Sequence, residues 1–340
     1  MRDRIKYLDV AKFIGIFCIY LGHMGELAGN AYNFVFTFHV PLFFFLSGCT
    51  ETIGSDLPWY KYILKIVKSI LIPFYFFAFT SLFIYCIILN TYEPIISHLP
   101  IILRGCIRNH YFASGLWFLT CLFVVKIVFH FLRKLLKYKI PIFIVSLILF
   151  WAAEHIINPH PLVTPHVAYN IDSACYYFVY YALGYCLFKP IHQLFAWDSP
   201  TKKIVCAGIG ILCAIFAGSL FFGKCWLLPN NNTVIIFINT LLLPTITIFF
   251  ILLVSKLLEN VSLFIEIGKN SLFLCGSEFM ITNLFPSCLA ILGLSHSLPN
   301  PIATYFYVFI LLFICNKTLV PIEKAVLRKF HFLNNKESDL

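Results

Sequence analysis

The first apolar stretch of the chain, LDVAKFIGIFCIYLGHMGE, carries four ionisable side chains, Asp9, Lys12, His23 and Glu26. Such groups are costly inside a lipid bilayer and by default mark a functional interior. Lys12 and His23 stand three helical turns apart, so they share one helix face at a separation of about 16 Å along the axis. The same periodicity adds Asp9 and Glu26 to the stripe. An imidazole there offers a general base near neutral pH, and an ammonium offers a fixed positive charge for an anionic group. The plainer alternative is a local i, i+3 pair of Asp9 and Lys12 near the inner surface, with His23 an interfacial histidine.

Further candidates follow along the chain. In FHVPLFFFLSG, His39 and Pro41 are expected to begin the second helix from the outer side. This places His39 about as deep as His23, as a base or as the partner that orients one; the alternative is a histidine that caps the helix. Lys65 and Lys68 put two ammonium groups at i and i+3 just before Pro73, which suits phosphate binding or ordinary snorkelling to the membrane surface. Trp117 stands in SGLWFL, Asp172 opens NIDSACYYFVYYALGY, and IGKNSLFLCGSEF contributes Asn270 and Glu278. Glu278 lies deep in an apolar run and needs a partner or a proton.

The elements that must position these residues are membrane spans. A spanning helix takes about 20 mostly apolar residues. Ten segments approach that, near 8–27, 34–53, 66–90, 115–132, 140–157, 172–189, 203–222, 233–254, 262–284 and 302–320. Lysine and arginine flank alternate ends: 20 fall on one side and three, Arg104, Arg108 and Lys224, on the other, with Lys12 and Lys126 inside spans. By the positive-inside rule both termini are cytoplasmic. Segment 91–114 is extracytoplasmic and too polar to span, and 154–171 is a Pro/His-rich external loop. The expected fold is an all-α polytopic bundle of about ten transmembrane helices, one integral-membrane domain over 1–340 with no appended soluble domain. No small-residue cleavage site ends the first apolar run, so it is read as a retained helix.

Composition agrees. Of 340 residues 60% are hydrophobic and 12% charged, against about 25% charged in a soluble domain. The net charge of +10 is spread over loops rather than gathered on a soluble aromatic platform, which argues against nucleic acid as a partner. The 13 cysteines form no CxxC pair and sit mostly in apolar runs, as buried free thiols do. Glu154, His155, His160 and His166 lack the spacing of a metal site, so no metal is expected.

Taken in order, these strings resemble the membrane-bound acyltransferase family 3, which includes sugar O-acetyltransferases of bacterial surface polysaccharides. The similar segments are YLDVAKFIGIFCIYLGH, FHVPLFFFLSG, the basic pair before Pro73, LWFL, NIDSACYYFVYYALGY and IGKNSLFL, from residue 7 to about 280. The resemblance implies ten helices in the inner membrane of a bacterium. It also implies acetyl-CoA as co-substrate, with no bound cofactor, and transfer of the acyl group to a hydroxyl of an extracytoplasmic surface glycan or lipid-linked sugar. It makes His23 essential and Lys12 important, and maps the family's basic pair to Lys65 and Lys68, where lysine replaces the more frequent arginine and loses its bidentate fork. Many relatives carry a histidine in the helix after the IGKNSL segment; this chain has Glu278. The expected catalytic set is His23, Lys12, Glu278 and Asp172, and the expected substrate-binding set is Asp9, His39, Lys65, Lys68, Trp117 and Asn270. The competing reading is a transporter or channel whose polar stripe conducts protons, ions or lipid-linked saccharide; the lack of visible repeats disfavours it.

Overall fold

A computed structural model describes residues 4–51, 57–106, 108, 115–158, 160–165, 167–223, 232–282 and 300–329, and every regular element among them is helical. The order is α1 (Lys6–His23), α2 (Asn30–Glu51), α3 (Trp59–Ile66), a π turn (Val67–Leu71), α4 (Ile72–Leu89), α5 (Glu93–Arg104) and α6 (Trp117–Leu136). Then come α7 (Lys139–Ala152) with its own π turn (Ala153–Ile157), α8 (Ile171–Leu194), α9 (Pro200–Phe221) and α10 (Thr233–Leu257). The last are α11 (Ser262–Lys269), α12 (Ser271–Gly276), α13 (Pro301–Lys317) and α14 (Leu319–Lys329). Three starts are written locally: Ser199, Asn232 and Asn300 accept the backbone N–H three residues on, and Pro200 and Pro301 follow two of these caps.

Among the described residues six helical stretches are long and apolar enough to cross a bilayer, 30–51, 59–89, 139–157, 200–221, 235–257 and 301–329. The chain is a multi-pass all-α membrane protein, with six such helices where the sequence suggests ten spans. The shortfall has a physical pattern. Three helices fail on apolarity: α1 carries Lys6, Asp9 and Lys12, α6 carries Lys126, Arg133 and Lys134, and α8 carries Asp172 and five tyrosines. The span expected near 262–284 is broken into α11, α12 and a helical piece at 278–282, and the chain at 283–299 lies outside the described residues. A helix sheathed by other helices can carry polar groups, whereas one that faces lipid cannot. Accordingly α1 and α8 are largely buried, while α9 buries only Cys206, Cys213 and Ala217.

The core helices are held at backbone contact. A Cβ on Gly48 of α2 would collide with the Tyr181 carbonyl of α8, and one on Gly184 of α8 with the Phe45 carbonyl of α2. These reciprocal glycines let the two helices close on each other, as small residues do between membrane helices. Gly268 of α11 closes in the same way on the Asp9 backbone of α1.

Local expectations need two corrections, and a third segment gains a short helix. Glu26 does not extend the α1 stripe: α1 stops at His23, Gly25 turns the chain at φ +58°, and Glu26 is exposed in a short 3-10 turn. His39 and Pro41 neither begin nor cap α2, which starts at Asn30; Pro41 sits inside it, and the buried environment holds the helix across the lost N–H. Segment 91–114 contains α5, twelve residues and too short to span.

Candidate active site

The C-terminal end of α1, the outer end in the orientation expected from the charge asymmetry, is brought to Glu278 by a buried clamp. The Tyr20 hydroxyl donates to the Leu274 carbonyl of α12 at 2.8 Å. One turn further out on both segments, His23 Nδ1 and Glu278 Oε1 stand 3.5 Å apart. Glu278 is buried at 2% exposure, and the His23 side chain is about one-third open at 34%. With Nδ1 turned to a carboxylate, the Nε2 edge of His23 is presented away from it. A histidine so oriented can take a proton on Nε2 and have the resulting imidazolium stabilised by the acid behind it. The 3.5 Å spacing is loose, as acid–base pairs without substrate commonly are. Thr282 Oγ1 donates to the same carboxylate oxygen at 3.3 Å.

Other groups collect at this level. His39 is buried on α2, its Nδ1 donating to the Val35 carbonyl at 2.7 Å, and it lies within electrostatic reach of His23 and of Arg108. Gly115 approaches the Glu278 carboxylate, which brings Trp117 two residues on to the same region; its ring carries the Arg108 guanidinium at 3.9 Å. Asp172 has a different position. Buried at the start of α8, it accepts from Asn158 Nδ2 at 3.0 Å and from the Ser173 N–H, so it ties the loop after α7 to α8. The acid placed beside His23 is Glu278.

The inner half is built on Asp9. Buried at 2% exposure, it accepts two bonds from Arg4, at 2.6 and 3.1 Å, and pairs with Lys12 at 3.6 Å. Lys12 in turn borders a cavity of about 150 Å³. Its other walls include Thr50 and Phe43 of α2, Phe118 of α6, and Cys275 of α12. Phe43, Phe118 and Cys275 lie within about one turn of His39, Trp117 and Glu278 in the chain, but none of the latter three, nor His23, is a wall of the cavity. Ile70 of the first π turn also lines it. That turn carries Lys68 and follows Lys65, both exposed. Because its bonds run i to i+5, the two lysines do not keep the regular one-face spacing expected of i and i+3. Asn270 is occupied elsewhere: it donates to Asn316 Oδ1 at 2.7 Å and accepts from Lys324 at 2.6 Å, holding α13 and α14.

One buried ionic cluster was not signalled by spacing. Glu51, the last residue of α2, accepts at Oε2 from Tyr181 of α8 at 2.9 Å, Tyr62 of α3 at 3.3 Å and Lys126 of α6 at 3.4 Å. Lys126 was visible as a charge inside a span, but three partners on three other helices leave no local pattern. The segment expected to be loop from residue 154 begins instead as the π turn that continues α7, where His155 bonds the Trp151 carbonyl and stacks on its ring; His166 lies outside the described residues. Among the described residues no group of three His, Cys, Asp or Glu is arranged to hold a metal.

Comparison with curated proteins and with solved structures returns no match for the chain. The family comparison does. The description of an acyltransferase domain fits residues 5–316, from the start of α1 to the last turn of α13, and so includes every residue that lines the cavity. The His23–Glu278 pair and the cavity bordered by Lys12 therefore sit in a membrane-embedded enzyme, and the chain belongs to acyltransferase family 3.

Proposed function

We propose that this acyltransferase moves an acyl group, acetyl by its family resemblance, from cytoplasmic acyl-CoA to a hydroxyl of an extracytoplasmic surface glycan or lipid-linked sugar. In this reading the chain crosses the inner membrane of a bacterium ten times with both termini inside. The lysine and arginine asymmetry, 20 against three, supports that orientation. It puts Lys12, Lys65 and Lys68 on the donor side and His23, Glu278, His39 and Trp117 on the acceptor side.

The observation that carries the proposal is the His23–Glu278 pair at 3.5 Å, on a segment whose Cys275 lines the cavity that Lys12 borders. Lys65 and Lys68 meet the CoA phosphates at the inner mouth, and Asp9 keeps Lys12 in place along the path of the pantetheine arm. The acceptor hydroxyl gives its proton to His23 Nε2 as its oxygen bonds the acyl carbon. Glu278 stabilises the imidazolium, the C–S bond breaks, and the CoA thiolate takes the proton from His23. The separation of about 16 Å between Lys12 and His23 is too long for both to act on one carbonyl. The lysine therefore guides the donor, and the histidine works where the acyl group emerges.

The test is sidedness. Proteoliposomes receive labelled acetyl-CoA on one face only, with a hydroxylic glycan on the other. Label appearing on the trapped glycan, with CoA released on the donor face, is the expected result. Transfer only to acceptors on the donor's own face would overturn the reading.

A further inference from the structure

Arg104 and Arg108 both follow from the α5 region, yet they differ. Arg104 is exposed, as an ordinary interfacial cation is, whereas Arg108 is turned inward and its Nη1 is buried with no hydrogen-bond partner. Its position is not loose. Gly105, at φ +67°, ends α5, and its carbonyl accepts from Asn170 Nδ2 at 2.9 Å and from Thr120 Oγ1 at 3.0 Å. Asn170 is completely buried and also donates to Thr120 Oγ1 at 2.8 Å, and Cys106 Sγ donates to the Val167 carbonyl at 2.9 Å. These bonds fix the chain up to Cys106; Arg108 stands over the Trp117 ring, 3.9 Å from its centre, with the Tyr177 hydroxyl within bonding reach of the guanidinium and Nη1 left without a partner.

Ring stacking holds the plane of a guanidinium but does not satisfy its in-plane N–H groups. A buried donor without a partner is costly, and a stacked guanidinium presents its fork in the geometry that matches a carboxylate or phosphate. The surroundings on the outer side include His39 and the His23–Glu278 region, where the acceptor enters in the function proposed above.

We propose that Arg108, held on Trp117, is the anion-binding element of the acceptor site, so that the acceptor carries an anionic oxygen group, a sugar carboxylate or a phosphate, close to the hydroxyl that is acylated. This rests on the acyl-transfer reading for the identity of the site, but the binding itself is measurable without turnover.

Thermal unfolding of the full-length protein in detergent, at constant ionic strength, is followed with glucuronate, glucose and inorganic phosphate as probes. Wild type is expected to be stabilised by glucuronate or phosphate and not by glucose. The better of the two anions tells a carboxylate-bearing sugar from a phosphate-linked one. Arg108→Gln should weaken that affinity about tenfold or more, and Arg108→Lys, which keeps charge without the fork, by less. Equal stabilisation by glucose and the anions, or unchanged anion affinity in Arg108→Gln, overturns the proposal. Should Arg108→Gln fail to fold, the wild-type preference together with an unweakened Arg108→Lys decides against it. CoA release from acetyl-CoA, measured on the same wild-type sample, reports separately on the acyl-transfer reading: anion binding without CoA release sinks that reading alone, and CoA release without anion preference sinks this one alone.

Discussion

The inner and outer ends of the bundle treat charge in opposite ways. At the inner end two buried carboxylates are hubs: Asp9 takes Arg4 and Lys12, and Glu51 takes Tyr62, Lys126 and Tyr181 from three helices. At the outer end the histidine and its acid meet at a looser 3.5 Å, the imidazole is one-third open, and an arginine nitrogen is buried without a partner. Charges locked into several bonds set shape, because breaking them leaves an uncompensated ion. Charges left with an open edge are those that can bind or move a proton. In the function proposed above, the inner clusters serve architecture and donor placement, and the outer groups the chemistry.

Substitutions at the two ends should therefore be read by different instruments. Glu51→Ala leaves Lys126 buried without its acid and is expected to lower stability by about 3 kcal/mol or more. Thermal or denaturant unfolding checks this, and a Glu51→Leu/Lys126→Leu pair should recover most of the loss. Stability of the single variant equal to wild type would erase the distinction drawn between the ends. Glu278→Gln should do the reverse, slowing acyl transfer about 10²-fold while the melting temperature stays near wild type, since the amide still fills the site but no longer balances an imidazolium. Lys12→Met leaves Asp9 with Arg4, so folding should hold and KM for acyl-CoA should rise about tenfold with a smaller change in kcat. A kcat loss with unchanged KM would move Lys12 from guiding the donor to the chemical step. Tyr20→Phe removes the clamp to Leu274 and should cost about 1 kcal/mol of stability, with a few-fold drop in rate as the His23–Glu278 register loosens.

Much of this arrangement was legible from helix periodicity and charge. Lys12 and His23 stand out because an apolar run tolerates few ions, and Glu278 because nothing near it in sequence could neutralise it. What periodicity cannot carry is where a helix stops or which loop returns. A positive φ at Gly25 took Glu26 off the stripe, and a π turn altered the spacing of Lys65 and Lys68. Asp172 found Asn158 across a loop, and Asn270 found Asn316 and Lys324 on later helices. The span count differed for a related reason. Hydropathy measures contact with lipid, whereas α1 and α8 are largely covered by other helices and hold Asp9, Lys12 and Asp172 in pairs inside the bundle. Arg108 is an ordinary loop cation until the fold sets it over the Trp117 ring.

The central claim is that His23 performs the proton transfer, and CoA release from acetyl-CoA in the presence of an acceptor tests it most directly. Wild type and His23→Ala, matched for melting temperature, are compared at saturating donor. The account predicts a fall of about 10²-fold to 10⁴-fold in the variant, whereas turnover equal to wild type would contradict it and remove His23 from the reaction.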